Sequence, residues 1–359
     1  MRLPKTLLGL VCLSALSAVG QGTGNARLRA IGSVPLAGSP VFDQSLFAAG
    51  NILISHAGAQ SVDVFEPKKR RIIGHIANLK DPRGIAFDEA SNTIYVACAG
   101  SNSIAVVDAK ELKVTKSMPL PARPQDLAFS AQEKLLYASG AATPQLIIVP
   151  TDGSAASTLD VGGRIGGLAL DPAAKRLYLS INNQNEVVAV TTGAKPEIAQ
   201  HWKLNASQPT GLTLDAETGR LFVAVRYAVL SLNTNTGQEI SRVPTAAGTD
   251  TLRYLPTDKL LYAGSTDGTV TVIDASKGNL VASDEIKAGV KGHSIAVDAT
   301  THMLYVPGGF EGHAKLAILK PFVMKYHDTD EDEDDTKAPA QSSSPKPSAN
   351  SSATKTPPR

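Results

Sequence analysis

The fold is decided by residues 81–108, which read DPRGIAFDEASNTIYVACAGSNSIAVVD. An apolar run ending at Asp88 comes first, an apolar stretch around Tyr95 follows, and a third ends at Asp108. The same phrase recurs along the chain, and six copies have one aromatic residue inside the second apolar stretch. These aromatic anchors are Tyr95, Tyr137, Tyr178, Phe222, Tyr262 and Tyr305.

The anchors follow one another at intervals of 42, 41, 44, 40 and 43 residues. A step of 42 residues back from Tyr95 reaches Leu53 in a degenerate first copy, which makes seven copies. Each copy contains short apolar stretches separated by turn residues such as Asp267-Gly268, and none has helical periodicity. This pattern predicts an all-β, seven-bladed β-propeller with four antiparallel strands per blade.

The seventh copy has only three clear strands, the last at residues 316–319. An open array of blades would leave an adhesive strand edge. Residues 28–36 resemble the last-strand sequence at residues 70–76. We therefore predict that an N-terminal strand pairs beside residues 314–319, completes the last blade and closes the ring.

The two ends of the chain differ from the repeats. Residues 1–20 have the charged start, apolar run and small-residue end typical of a cleaved signal peptide. Their apolar run is shorter than the ~20 residues of a spanning helix, so we expect a periplasmic or secreted protein without a membrane span. Residues 21–327 then form the propeller, and residues 328–359, acidic and then Ser/Pro-rich, form a disordered tail.

Charge and cysteine content exclude several classes of protein. The formal charge of +2 comes from Arg2 and Lys5, so residues 21–359 have no net charge, which disfavours a nucleic-acid partner. Cys98 is the only cysteine after the leader, which excludes an internal disulfide and a zinc site of paired cysteines. We predict a packed core thiol there. Haem-attachment, nucleophile-elbow and metal-binding His spacings are absent, so no cofactor and no metal site are predicted.

The repeated phrase resembles that of the YVTN-repeat β-propellers, the YncE-like family of exported prokaryotic proteins with WD40-like repeats. The match is best at residues 82–108 and 292–306 and extends over residues 26–321. The sequence departs from the family phrase after Tyr95, where Val-Ala-Cys replaces Val-Thr-Asn. The resemblance implies an exported propeller and carries little information on ligand or activity.

Propellers bind ligands mainly at one mouth of the central channel, where loops enter the innermost strands. The polar residues expected there predict a site for a small polar or anionic ligand, with Arg83 as a forked donor and His293 as a titratable group. Loops of this kind are polar in any propeller, so turn capping or bound channel water is the alternative. In copies two to seven, the residues two places before the first apolar residue of the innermost strand are Arg83, Gln125, Gly166, Thr210, Asp250 and His293, and Asp126 and Ser294 stand one place further along.

Two functions stay open. The first is a monomeric, non-catalytic binding protein or interaction scaffold that takes a protein, peptide or small polar ligand at a rim of the channel. The repeats, whose residues serve blade packing, and the lack of a catalytic constellation favour it. The second is a lactonase- or lyase-like propeller enzyme, with His293 as general base and Arg83 polarising the substrate.

Overall fold

The computed structural model describes residues 26–323. The leader at residues 1–20 and the tail at residues 328–359 lie outside the described residues. Within residues 26–323, no helix is both long and apolar enough to cross a membrane. Apart from the single-turn 3-10 helices Ala57–Ala59 and Ala99–Ser101, all regular secondary structure there is β-strand.

The strands form seven four-stranded antiparallel sheets, which are the blades of the predicted propeller. Strand β1 (Ala26–Pro35) precedes blade one. Blades one and two consist of β2 (Ser45–Ala48), β3 (Asn51–His56), β4 (Ser61–Glu66), β5 (Arg71–Ile76), β6 (Pro82–Asp88), β7 (Thr93–Cys98), β8 (Ser103–Asp108) and β9 (Lys113–Pro119). Blades three and four consist of β10 (Pro124–Ser130), β11 (Leu135–Gly140), β12 (Gln145–Pro150), β13 (Ser157–Asp160), β14 (Ile165–Asp171), β15 (Arg176–Ile181), β16 (Glu186–Thr191) and β17 (Ile198–Lys203).

The remaining three blades follow the same plan. Blades five and six consist of β18 (Leu212–Asp215), β19 (Arg220–Val225), β20 (Ala228–Asn233), β21 (Glu239–Pro244), β22 (Thr249–Leu255), β23 (Leu260–Ser265), β24 (Thr269–Asp274) and β25 (Val281–Lys287). Blade seven consists of β26 (Ala296–Val297), β27 (Leu304–Phe310), β28 (His313–Val323) and β1.

The N-terminal strand closes the ring, as the sequence predicts. Strand β1 is antiparallel to β28, from the pair Ala26 and Val323 to the pair Pro35 and Lys315, and a bulge falls between Ala30 and Gly32. The backbone N–H of Leu36 continues the pairing to the carbonyl of Ala314 at 2.9 Å. The outermost strand of the last blade thus comes from the other end of the described chain.

The core lies between the blades. Seven buried hydrophobic clusters each draw on two neighbouring blades, and the seventh joins blade seven to blade one. The aromatic anchors all lie on the second strand of their blades and are at most 5% exposed. Flat apolar side chains fill the wedge between two sheets, which explains why one aromatic position recurs in six copies, while Leu53 stands there in blade one.

Two local predictions are confirmed by the structure. Gly268, in the turn between β23 and β24, has a φ of +83°, a conformation that glycine adopts without steric cost. Cys98 is 3% exposed within the cluster between blades one and two, and burial raises the pKa of its thiol to about 11. A thiol that stays protonated at neutral pH is a packing residue and not a nucleophile.

Candidate functional site

A small polar cavity lies at one mouth of the central channel. Consecutive strands of a blade are antiparallel and every blade begins with its innermost strand, so all the innermost strands start at the same face of the ring. The cavity has a volume of about 120 Å³. Polar side chains from blades one, three, six and seven line it, namely Asp43, Gln44, Gln125, Asp126, Asp250, Thr251, Arg253 and His293.

The structure brings most of the predicted mouth residues together. Gln125, Asp126, Asp250, His293 and the backbone of Gly166 line the cavity. The other three predicted residues lie outside its lining. Arg83 pairs with carboxylates, Thr210 Oγ1 donates to the Thr249 carbonyl at 3.1 Å, and Ser294 Oγ is 2.9 Å from Ser45 Oγ.

Blade one supplies two site residues that the sequence analysis missed. Gln44 Nε2 donates to Asp126 Oδ1 at 2.6 Å, and Gln125 Nε2 donates to Asp43 Oδ2 at 3.0 Å. Both hydrogen bonds join blade one to blade three past the intervening blade two. These paired contacts fix the amide and carboxylate groups in the wall of the cavity.

The Arg83 guanidinium is held by carboxylates of the protein itself. Its Nη1 lies 2.9 Å from Asp43 Oδ2, and its Nη2 lies 2.8 Å from Asp81 Oδ1. Arg123 Nη2 shares Asp81 at 3.3 Å. Arg83 therefore orients Asp43 at the cavity wall, and Arg83 itself is not among the residues that line the cavity.

Arg253 is a third site residue that the sequence analysis missed, and it interrupts the pattern of the repeat. It pairs across the sheet with the anchor Tyr262, and in the other six blades this position carries a smaller or apolar residue. Its guanidinium reaches from blade six to blade one, where Nη2 donates to the Ser45 carbonyl at 3.1 Å. Nη1 donates to the Leu252 carbonyl at 2.9 Å. The equivalent residues are Leu46, Ala86, Ala128, Ala169, Thr213 and Ala296.

His293 and Asp250 form an ion pair at the edge of the cavity. His293 Nδ1 lies 2.8 Å from Asp250 Oδ2. Burial lowers the pKa of His293, but the hydrogen bond to Asp250 and the charges of Asp43 and Asp126 outweigh this, so that the pKa lies above its ordinary value. The protonated imidazole is thus favoured here.

Asp126 is the carboxyl group most perturbed by this environment. Burial, followed by the negative charges of Asp43 and Asp250, raises its pKa to about 7, although Arg253 and His293 act in the opposite direction. A carboxyl group with such a pKa exchanges its proton near neutral pH. The cavity therefore holds one carboxyl group that titrates near neutral pH, Asp126, beside a histidine whose pKa is raised.

The Asp126 pKa predicts a pH-dependent effect of Asp126→Asn on stability. Between pH 3.8, the ordinary pKa of an aspartate, and about pH 7, Asp126 keeps a proton in the folded protein that it releases in the unfolded chain. Its free energy of unfolding therefore falls as pH rises through this window. The amide cannot ionise and can still accept from Gln44, so we expect the melting temperature of the variant, relative to the parent, to rise between about pH 5 and about pH 8. A constant difference would contradict the assignment.

The polar cavity opens into a larger depression on the same face. A neighbouring cavity of about 230 Å³ shares Asp43 and His293 with it and adds Phe42 and Lys291. An open depression of about 710 Å³, lined by Pro40, Lys291 and Phe310 among others, continues outward. A ligand anchored at the channel mouth thus has room to extend towards the rim.

Metal ligation has no geometric support in the part of the chain that the structure describes. Across residues 26–323, no three His, Cys, Asp or Glu side chains are grouped so that they could hold a metal ion. The carboxylates of the cavity instead face amide, imidazole and guanidinium donors. This donor-rich surrounding suits an organic ligand better than a cation.

Comparisons with known proteins identify the fold alone. No protein-family model matches the chain, and no curated protein matches its sequence. A solved streptogramin B lyase is 14% identical with a TM-score of 0.67, covering 83% of this chain and 98% of the lyase chain. A chain of the Kuenenia stuttgartiensis hydrazine synthase is 15% identical with a TM-score of 0.64, covering 80% and 97%. A chain of the mitotic checkpoint complex is 14% identical with a TM-score of 0.64, covering 88% and 98%.

Proposed function

We propose that this protein is an exported, non-catalytic β-propeller that binds a small polar ligand, or a polar group of a larger partner, at the mouth of its channel. The observation that carries this proposal is the convergence of eight polar side chains from four blades on one cavity. These residues come from four separate stretches of the sequence, which the ring brings together.

The free energy lost when these charged side chains leave water supports a role beyond packing. Charged groups that leave water lose several kcal/mol of solvation, and apolar residues often replace buried ion pairs without loss of stability. At the position of Arg253, five of the other six blades carry Ala or Leu. A cluster of charges that the fold does not need is typical of a site kept for function at some cost in stability.

Export and family membership are part of the proposal. The signal-peptide pattern of residues 1–20 supports a periplasmic or secreted location, and the repeat phrase supports a place among the YVTN-repeat, YncE-like propellers. Proteins of this fold also serve as interaction scaffolds, because the rims of the ring offer large surfaces. The chain of the mitotic checkpoint complex is a structural neighbour from a protein assembly.

An enzyme is the second candidate, and one contact favours it. His293 lies 2.8 Å from Asp250 in the same cavity as Asp126, an arrangement that could move a proton to or from a substrate. One structural neighbour is named as a lyase. On this alternative, a turnover would depend on His293 and Asp126 together.

Native mass spectrometry of protein purified gently from its own host tests the binding proposal. We expect a mass above that of the denatured chain, which His293→Gln removes because it breaks the ion pair with Asp250. The matched control is His313→Gln, an exposed histidine on the same face outside the polar cavity, which should retain the added mass. A bare mass, or equal loss in both variants, would contradict a ligand at the mouth.

The same two variants separate the enzyme from the binding protein. Once the bound molecule is identified, its chemical fate with the parent protein is followed by mass spectrometry of the solution. Release of the molecule unchanged is the result expected of a binding protein. Conversion that His293→Gln stops and His313→Gln spares would establish the enzyme instead.

A further inference from the structure

The charges at the channel mouth do not balance when they are paired by distance. Arg83 forms an ion pair with Asp43. Asp81 is shared between Arg83 and Arg123. His293 forms an ion pair with Asp250. No carboxylate of the described residues lies within 4.0 Å of the Arg253 guanidinium, whose hydrogen bonds go to two backbone carbonyls. Arg253 is therefore left without a directly paired carboxylate, and Asp126 is the carboxyl group whose charge acts on it.

Asp126 is the one carboxyl group in the lining that has no ion pair. Its Oδ1 accepts a hydrogen bond from Gln44, and below about pH 7 its raised pKa keeps most of the group protonated. A protonated Asp126 does not neutralise Arg253 and can donate a hydrogen bond from Oδ2. In this state the cavity has one unmatched positive charge.

Arg253 also has hydrogen-bonding capacity to spare. A guanidinium carries five N–H donors in a planar fork, and the two recorded bonds of Arg253 use two of them. The residue lines the polar cavity beside Thr251 and His293. A planar fork next to a cavity is the arrangement that binds a carboxylate most strongly.

We propose that the channel mouth binds a small organic carboxylate, with the Arg253 guanidinium as the group that contacts the ligand carboxylate and the Asp126 carboxyl group beside it in the same cavity. This inference rests on the proposed function and specifies the chemical class of the ligand. Arg253 is then the residue that decides ligand specificity. Its place at a position where four other blades carry Ala gives blade six a distinct role in the ring.

A cationic ligand fits the same cavity poorly. Asp43 already accepts from Arg83 and Gln125, and Asp250 is paired with His293. A cation would also meet the charge of Arg253 and the protonated His293 at close range. The carboxylates of the wall thus orient the donors that face the ligand.

Binding of matched probes by isothermal titration calorimetry tests the inference. The probes are lactate, its neutral amide lactamide, and calcium chloride, each titrated into the full chain. We expect lactate to bind at least about tenfold more tightly than lactamide, since hydrogen bonds between charged partners are about twice as strong as neutral ones. Calcium should not bind at the mouth.

Two variants assign the preference to Arg253. Arg253→Ala installs the residue that stands at this position in four other blades, so the fold should tolerate it, and it should remove the preference for lactate over lactamide. Arg253→Lys keeps the charge and should restore part of the preference. Lactate affinity should also fall as pH rises through about 7, where Asp126 loses its proton.

Each outcome decides a different claim. Lactamide or calcium binding as tightly as lactate, or a preference for lactate that survives in Arg253→Ala, would overturn the carboxylate inference and leave the binding proposal standing. Binding of no probe would also overturn it for small carboxylates. In that case the native mass measurement on His293→Gln decides separately whether the mouth holds any ligand.

Discussion

Deletion of residues 26–36 is expected to abolish the cooperative folding of the propeller. Strand β1 supplies the outermost strand of blade seven, and Leu28 and Ile31 belong to the clusters on either side of that blade. The backbone N–H of Leu28 also donates to Asp284 of blade six at 2.7 Å. Without β1 the ring is open and β28 has an unpaired edge, so most of the ~5–15 kcal/mol of a typical domain should be lost.

The loss should appear in thermal melts and size-exclusion chromatography as a missing transition and as aggregation. A synthetic peptide of residues 26–36, added during refolding, should restore part of the soluble monomer, whereas a scrambled peptide should not. The control chain lacks residues 328–359, which the sequence predicts to contribute nothing to the core, and should melt like the parent. A soluble monomer of unchanged stability after deletion of residues 26–36 would contradict closure by β1.

The substitution Tyr178→Ala is expected to destabilise the propeller by about 3–5 kcal/mol. Tyr178 is 1% exposed in the cluster between blades four and five. Its ring stacks on Trp202 with centroids 5.5 Å apart. Removal of the ring leaves a cavity between two sheets that pack along their full length, so the neighbours cannot collapse to fill it.

The control Tyr178→Phe keeps the ring and removes only the hydroxyl, which donates to the Thr234 carbonyl over a long 3.5 Å. We expect it to cost less than about 1 kcal/mol. Chemical denaturation of both variants and the parent measures the difference. A loss below about 1 kcal/mol for Tyr178→Ala would show that the anchor does not support the interface between the blades.

The architecture was predictable because the chain repeats one pattern of apolar residues, which packs each blade against the next. Six of the seven wedges between sheets have a flat aromatic side chain at the anchor position, and this requirement fixed Tyr95, Tyr137 and their counterparts at intervals near 42 residues. The missing fourth strand of copy seven predicted closure by the N-terminal strand, and the structure confirms it. Local apolar patterns and the period were sufficient for this part of the fold.

The candidate site was only partly predictable. Counting back from the first apolar residue of each innermost strand located Gln125, Asp126, Asp250 and His293. This works because the mouth residues stand at the same distance from that apolar residue in every regular copy. Asp43 and Gln44 were not predicted as site residues, because the first copy is degenerate and has no aligned apolar residue from which to count. The contacts of Arg83 with Asp43 and Asp81 depend on side-chain rotamers across two blades, which a single sequence does not encode in any visible pattern.

Arg253 shows which signal the sequence analysis overlooked. The search considered the residues before each innermost strand, while Arg253 lies inside one, opposite Tyr262. Four of the six aligned positions carry Ala, so a single Arg among them was visible in the sequence as an exception to the repeat. In a repeat protein, a residue that breaks the packing pattern at one copy is a candidate for function.

A crystal structure of the protein purified gently from its own host is the most direct measurement of whether the channel mouth is a ligand site. Electron density for a small organic molecule in the cavity, in contact with Arg253 and Asp126, is the predicted result. A mouth that holds only water, in a protein whose native mass shows a bound molecule located elsewhere on the ring, would contradict it.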